Sequence, residues 1–264
     1  MERRATFNQA AKMYDETRPS YPDEVIDWII NKTNISTDAK LLEIGAGTGQ
    51  ATSKFAERGY AVHCIEMGEN LADVLIQKLG HYDVRVDVCP FEKWVPEKNF
   101  RTPLIFCATA FHWIDKSIKY KKCYELLDQD GYLVLIWNGS SDTSIPEVKK
   151  SYEYLWEYYP DRASDTTTME DLKNGRKDEI AESGYFELVD YLDYNWKFKQ
   201  SKEKFTEGFF AQSSYLALDE EQRKALSAKI HELYAGLNEI VETDFYTTVY
   251  IAKKVQHISQ NKTR

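Results

Sequence analysis

The chain has 264 residues, of which 42% are hydrophobic and 29% charged, an ordinary globular composition that excludes a wholly disordered protein and suits one main core. Its formal net charge of -9 argues against a surface that tracks phosphates, because nucleic-acid affinity rests largely on Lys and Arg contacts. No stretch approaches the ~20 apolar residues of a membrane span and no apolar leader run is present, so a reducing cytoplasm without a membrane partner is expected.

Pro22 followed by Asp23 and Glu24 opens a helix over residues 22–32, its apolar face formed by Val25, Ile26, Trp28, Ile29 and Ile30. Residues 40–44 are a short apolar run ending at a glycine cluster, and residues 48–58 resume with helical spacing through Ala51, Phe55 and Ala56. Residues 61–66 read as a strand, 70–78 as a helix, 84–88 and 104–108 as strands, and 116–127 as an amphipathic helix. Residues 131–137, Gly-Tyr-Leu-Val-Leu-Ile-Trp, carry the strongest strand pattern of the chain. Strands alternating with helices of about ten residues predict parallel pairing through right-handed crossovers, hence an α/β doubly wound sheet. After Asn138 the pattern changes to Tyr-, Trp- and charge-rich insert material. Long strands follow at 186–198 and 244–252, separated by a helical pair at 202–212 and 219–237. Lys253, Lys254, Lys262 and Arg264 read as a solvated basic tail.

The 18 tyrosines lift the aromatic share to 14%, which suits a core and also a pocket for an organic ligand. Cys64, Cys89, Cys107 and Cys123 lie far apart with no metal-binding spacing, so no metal is expected and they read as small buried hydrophobes. In a reducing compartment the Asn31 and Asn138 acceptor motifs carry no glycosylation meaning.

The segment Leu41-Leu-Glu-Ile-Gly-Ala-Gly-Thr-Gly49 closes a strand and opens a helix, leaving backbone N–H groups free to meet an electronegative ligand. A dinucleotide site would place a glycine at position 50, where this chain has Gln50, its third glycine falling one place early at Gly49. The lysine of a phosphate-binding P-loop and the Gly-x-Ser-x-Gly elbow of a hydrolase are both missing.

With Glu43 ahead of Gly45, Ala46, Gly47, Thr48 and Gly49, the phrase resembles motif I of the class I S-adenosylmethionine-dependent methyltransferases. In that family the loop wraps the amino-acid and ribose parts of the cofactor. Glu66 ends the second strand 17 residues past Gly49, where a carboxylate can accept both ribose hydroxyls. Phe7-x-x-Ala-Ala-x-x-Tyr14-x-x-x-Arg18-Pro-x-Tyr21-Pro is similar to the N-terminal signature of the small-molecule group that includes the trans-aconitate-type enzymes. The resemblance implies that this segment covers the cofactor, with Tyr14 and Arg18 holding its methionyl carboxylate through the bidentate reach of a guanidinium. Phe91-Glu92-Lys-Trp94 and Phe111-His112-Trp113 look like two further motifs of the group. They imply that Cys89 to Phe91, including Pro90, border the adenine, and that small Ala108 and Thr109 let the cofactor lie against the strand end; Met67, next to Glu66, is a further expected cofactor contact.

The resemblance implies a Rossmann-like, mostly parallel sheet of about seven strands, the last antiparallel, in one domain over 1–264, with helical lid material at about 141–183 and 201–237. Methyl transfer is an in-line displacement, so positioning governs it. His112, Trp113, Trp137 and Asn138 form the expected reaction mouth, with His112 as either a general base or a packing residue. Tyr152, Trp156, Tyr159, Phe209 and Tyr215 are expected wall residues of the lid, Trp156 and Tyr159 being assigned to the acceptor. The expected acceptor is a small molecule with an O, N or S nucleophile. An RNA or protein methyltransferase and a non-catalytic cofactor-binding module are the alternatives.

Overall fold

In the computed structural model, which describes residues 8, 11–140, 145–160 and 167–256, β1 (Lys40–Ile44) lies at the centre of a seven-stranded sheet. It pairs in parallel with β2 (Ala61–Glu66) and β4 (Thr102–Ala108). Outside these, also parallel, stand β3 (Val84–Val88) and β5 (Leu127–Ser140). The final strand, β7 (Ile240–Lys254), inserts antiparallel between β5 and β6 (Phe186–Ser201), giving the order β3-β2-β1-β4-β5-β7-β6. The expected sheet, mostly parallel with its last strand antiparallel, is the one found. Chain direction across the sheet reverses between β1 and β4, which opens a crevice at their carboxyl ends.

Strand alternation assigns Leu41 to one face and Leu42 to the other. On the Leu41 face lie α2 (Asp23–Thr33), α3 (Gln50–Ala56) and α4 (Glu69–Leu79), which bury Val25, Ile29, Phe55 and Leu75 against Phe106 and Val134. On the Leu42 face, α5 (Lys116–Leu126) and α7 (Met169–Glu182) bury Tyr120, Cys123 and Ile180 against Ile105 and Leu133. The Lys119 ammonium, almost wholly buried, ties these two helices by an ion pair to Glu179 at 2.6 Å. A third cluster stands apart from the sheet. It joins α6 (Pro146–Trp156), α8 (Lys202–Phe210), α9 (Ser213–Leu216) and α10 (Glu220–Tyr234) through Leu155, Phe209, Leu226, Ile230 and Tyr234. The Tyr234 hydroxyl donates to Ser151 Oγ across it at 2.7 Å. Ahead of all these, α1 (Ala11–Thr17) packs against both α4 and α8.

Three expectations change. The range 141–183 is too wide for lid material, because α7 belongs to the sheet through buried Ile180. Lys253 and Lys254 are residues of β7 and not a solvated tail, and the Lys254 ammonium donates to the Leu127 carbonyl at 2.9 Å. The last two strands run longer than their sequence pattern predicts, β6 to Ser201 and β7 from Ile240, and among the described residues 240–244 pair with β6 alone. Phe7, Lys262, Arg264 and residues 141–144 and 161–166 lie outside the described residues.

Candidate functional site

The glycine loop hangs on β2, with the N–H groups of Gly45 and Ala46 donating to the Ile65 carbonyl at 2.8 and 3.4 Å. Gly45 and Gly49 are fixed by close packing: a Cβ would stand 2.6 Å from Ala110 at the first and 2.9 Å from Leu79 at the second. Gly47 differs, because a Cβ there meets only the Tyr14 ring at 3.8 Å and the Gln50 amide at 3.9 Å, both ordinary contacts. The empty space of the loop is therefore above Gly47. Thr48 is fully buried, with its hydroxyl accepting from Gln50 at 2.6 Å. Thr48 and Gly49, expected to touch the cofactor, line neither cavity of the site.

Glu66 stitches the loop to the strand end. Its Oε2 accepts from the Gly47 N–H at 2.7 Å and its Oε1 from the Gly68 N–H at 2.8 Å. Burial raises its pKa, and those backbone donors oppose the rise. With Met67 as a third backbone donor, about one of the carboxylate's roughly four lone-pair positions remains for another donor.

Glu43 is only 1% exposed and accepts from Thr52 Oγ1 at 2.5 Å. Burial pushes its carboxyl up to about 8, with the Thr52 bond opposing and the Glu66 charge adding to the rise. A raised carboxyl pKa favours the folded state below the unfolded value, near 4.5, and that contribution is lost as pH rises towards 8. Glu43→Gln should therefore flatten the decline of stability between pH 5 and 8, by at most about 1.4 kcal/mol per pH unit. Urea midpoints at those two pH values check this; identical slopes in both proteins would refute a neutral buried Glu43.

Two cavities meet over the loop. The smaller, of about 260 Å³, is lined by Glu66, Met67, Pro90, Phe91, His112 and Trp113 among others. Its Pro90–Trp94 turn is clamped from below by the Lys122 ammonium, which donates to the carbonyls of Phe91 and Trp94 at 2.5 Å each. The larger, of about 1020 Å³, opens between the sheet's carboxyl ends and the helices of the third cluster. It takes Glu43, Ala46, Asn138, Tyr152, Trp156 and Phe209 into its wall. Tyr14, Arg18, Gly45, Gly47, Ala108 and Thr109 line both cavities. Arg18 Nε is buried and has no hydrogen-bond partner among the described residues, while the guanidinium lies 5.0 Å from the Tyr14 ring.

Thr109 holds a backbone conformation rare for a β-branched residue, with φ of 55°. Its N–H donates to the Ile136 carbonyl at 2.7 Å, and its hydroxyl pairs with the Tyr21 hydroxyl at 2.9 Å and accepts from the Asn138 N–H at 3.3 Å. Burial pushes the Tyr21 phenol far above its usual range, so it stays protonated.

The expected reaction mouth is divided. Asn138 lines the large chamber, whereas His112 and Trp113 face the small one. Trp137 reaches neither, because alternation along β5 turns it to the opposite face from Ile136. There its ring lies 4.1 Å from the Arg176 guanidinium and edge-on to Tyr250. Tyr159 and Tyr215 also line neither cavity; their hydroxyls donate to the carbonyls of Ser214 and Arg223 inside the third cluster. Cys89 departs from the other cysteines by being half-buried in the small cavity's wall. His112 is pushed down to about 4, first by burial and then by the Arg176 and Lys119 charges, and its Nδ1 faces Trp137 Nε1 at 3.4 Å. Ser213, Leu71 and Tyr21 enter the site without any local pattern that marks them. Among the described residues no cluster suited to a metal ion occurs, and no helix is long and apolar enough to cross a membrane.

Residues 22–90 match the family model described as ribosomal RNA adenine dimethylase. The chain is 31% identical over 160 residues to an uncharacterized methyltransferase-like protein of Schizosaccharomyces pombe, covering 60% of this chain and 61% of that protein. It is 30% identical over 133 residues to an uncharacterized methyltransferase of Mycobacterium tuberculosis, covering 50% and 52%. The chain thus spans about three fifths and one half of the lengths of these relatives. Among solved structures it resembles an S-adenosylmethionine-dependent methyltransferase from Thiobacillus denitrificans bound to S-adenosylhomocysteine, with a TM-score of 0.53, 13% identity and coverage of 90% and 94%. It also resembles a Haemonchus contortus phosphoethanolamine N-methyltransferase, with a TM-score of 0.53, 16% identity and coverage of 94% and 58%. In fold the chain resembles Rossmann-like methyltransferases, and in sequence it is similar to proteins that carry the methyltransferase name.

Proposed function

We propose that the chain transfers a methyl group from S-adenosylmethionine to an organic acceptor held in the large chamber. The observation that carries this reading is the seam of Tyr14, Arg18, Ala108 and Thr109, open to a cavity of the glycine loop on one side and to an aromatic chamber on the other. The residues fit the cofactor: Arg18 offers a buried donor that is unpartnered among the described residues to a carboxylate, Glu66 keeps acceptor capacity for a ribose hydroxyl, and Gly47 leaves room above the loop. When bound, S-adenosylmethionine supplies an activated methyl on a sulfonium.

The chain's own work is positioning. The Thr109 and Tyr21 hydroxyls and the Asn138 backbone form one hydrogen-bonded unit at the seam, which fixes its shape before any ligand arrives. With a pKa near 4, His112 is neutral at pH 7, so it adds no positive charge beside a sulfonium. It lines the smaller cavity and not the large chamber, which separates it from an acceptor held there and disfavours general-base chemistry.

The family match to an adenine dimethylase supports a second reading, an RNA acceptor. That match ends at residue 90, before the helices of the third cluster that cover the chamber, and the net charge of -9 disfavours RNA. Calorimetric titration with S-adenosylmethionine, S-adenosylhomocysteine and NAD tests the cofactor; binding of NAD alone would overturn it. Methyl transfer from labelled cofactor to ribosomal RNA would favour the second reading. Arg18→Ala should weaken S-adenosylhomocysteine binding by about 10- to 100-fold, as expected for a charged hydrogen bond. Binding of 5′-methylthioadenosine, which lacks the amino-acid portion, should not change; an equal loss for both would mean that Arg18 acts only through packing.

A further inference from the structure

The larger chamber has its floor on the ribbon where β6 and β7 pair with each other beyond Ser140, the last described residue of β5. Phe198 pairs with Thr243 and Gln200 with Val241, so Phe198, Gln200 and Thr243 share the face that lines the chamber. Asn138, near the seam, is paired with Thr247. The six residues from Thr247 to Val241 correspond to about 20 Å of strand, which separates the seam from Gln200. Phe205 and Phe209 of α8 close over this floor from above.

At the far end, Gln200 Oε1 is buried and has no hydrogen-bond partner among the described residues. Burial of an amide oxygen without a donor is costly, and a ligand hydroxyl would relieve it. The chamber's charges do not suit a compact polyanion. Arg18 is assigned above to the cofactor's carboxylate, Lys173 is already engaged by the Asp193 carboxylate, Lys149 is solvent-exposed, and Glu43 and Glu153 add carboxyl groups to the wall. A volume of about 1020 Å³ also lies at the upper end of ordinary ligand pockets.

We propose that the acceptor is an elongated, mainly apolar molecule, with its nucleophile at the Thr109 seam and a hydroxyl donor at its other end bonded to Gln200. This rests on the methyltransferase reading above. The trans-aconitate-type signature of residues 7–22 then reports on the cofactor side of the site and not on the acceptor.

The test uses the protein saturated with S-adenosylhomocysteine, into which dodecanoate, 12-hydroxydodecanoate and propane-1,2,3-tricarboxylate are titrated separately. The hydroxylated chain should bind about 3- to 10-fold more tightly than dodecanoate, the worth of one neutral hydrogen bond. In Gln200→Leu, and in the nearly isosteric Gln200→Met, the two should bind alike while dodecanoate and cofactor affinities hold. The tricarboxylate should not bind measurably. Equal affinity of the two long chains for the unaltered protein, a preference that survives both substitutions, or tight binding of the tricarboxylate would overturn the proposal. Failure of S-adenosylhomocysteine itself to bind would count against the cofactor reading instead.

Discussion

Gly47→Leu is expected to give a folded chain whose titration with S-adenosylmethionine produces no heat beyond dilution. The side chain has room to enter, because a Cβ at this position meets nothing closer than the Tyr14 ring at 3.8 Å. Its remaining atoms then occupy the space above the loop, on the wall common to both cavities. The φ of 59° adds backbone strain, about 1–2 kcal/mol for a residue with a Cβ, so melting should fall by several degrees without loss of the fold. Gly47→Ala separates the two effects. It carries the same strain with little bulk, and should lose similar stability but much less affinity. Full cofactor binding by the leucine variant would remove the loop from the site.

Glu66→Ala should fail in two measurable ways. Cofactor affinity should drop by on the order of 1.5–3 kcal/mol if the carboxylate accepts from the ribose hydroxyls. The same change strands the N–H groups of Gly47 and Gly68, which now donate to it at 2.7 and 2.8 Å. A buried donor left without a partner costs roughly 1–3 kcal/mol, so thermal unfolding of the free protein should also shift downward. A variant with lower stability and unchanged affinity would assign Glu66 to loop architecture alone. Loss of neither would mean that solvent replaces both contacts.

The α/β alternation was legible in the sequence because each central strand is a short apolar run bounded by turn residues, as in residues 40–44 and 131–137. The glycine loop was legible for the same reason, with Gly45, Gly47 and Glu66 brought to one cavity. What stayed hidden depends on direction and distance. Trp137 sits one residue before Asn138 but points to the opposite face, which a strand-end position alone does not reveal. The positive φ of Thr109 has no signature in residue type, since threonine seldom adopts it. Gln200 is remote from every motif and reaches the chamber only because β6 extends beyond its predicted end at residue 198. Aromatic residues at 152–159 announced a ligand wall, yet Tyr159 serves the covering helices' own packing.

Those covering helices close on an apolar cluster that excludes the sheet, with Leu155, Leu226, Ile230 and Tyr234 buried among themselves. That cluster shares no residue with the two sheet cores beneath the glycine loop, so substitutions at its buried centre are expected to add independently of changes in those cores. A lineage can therefore retune which molecule it accepts without re-evolving how it holds the methyl donor, and the cost of changing partners in evolution falls on one detachable layer.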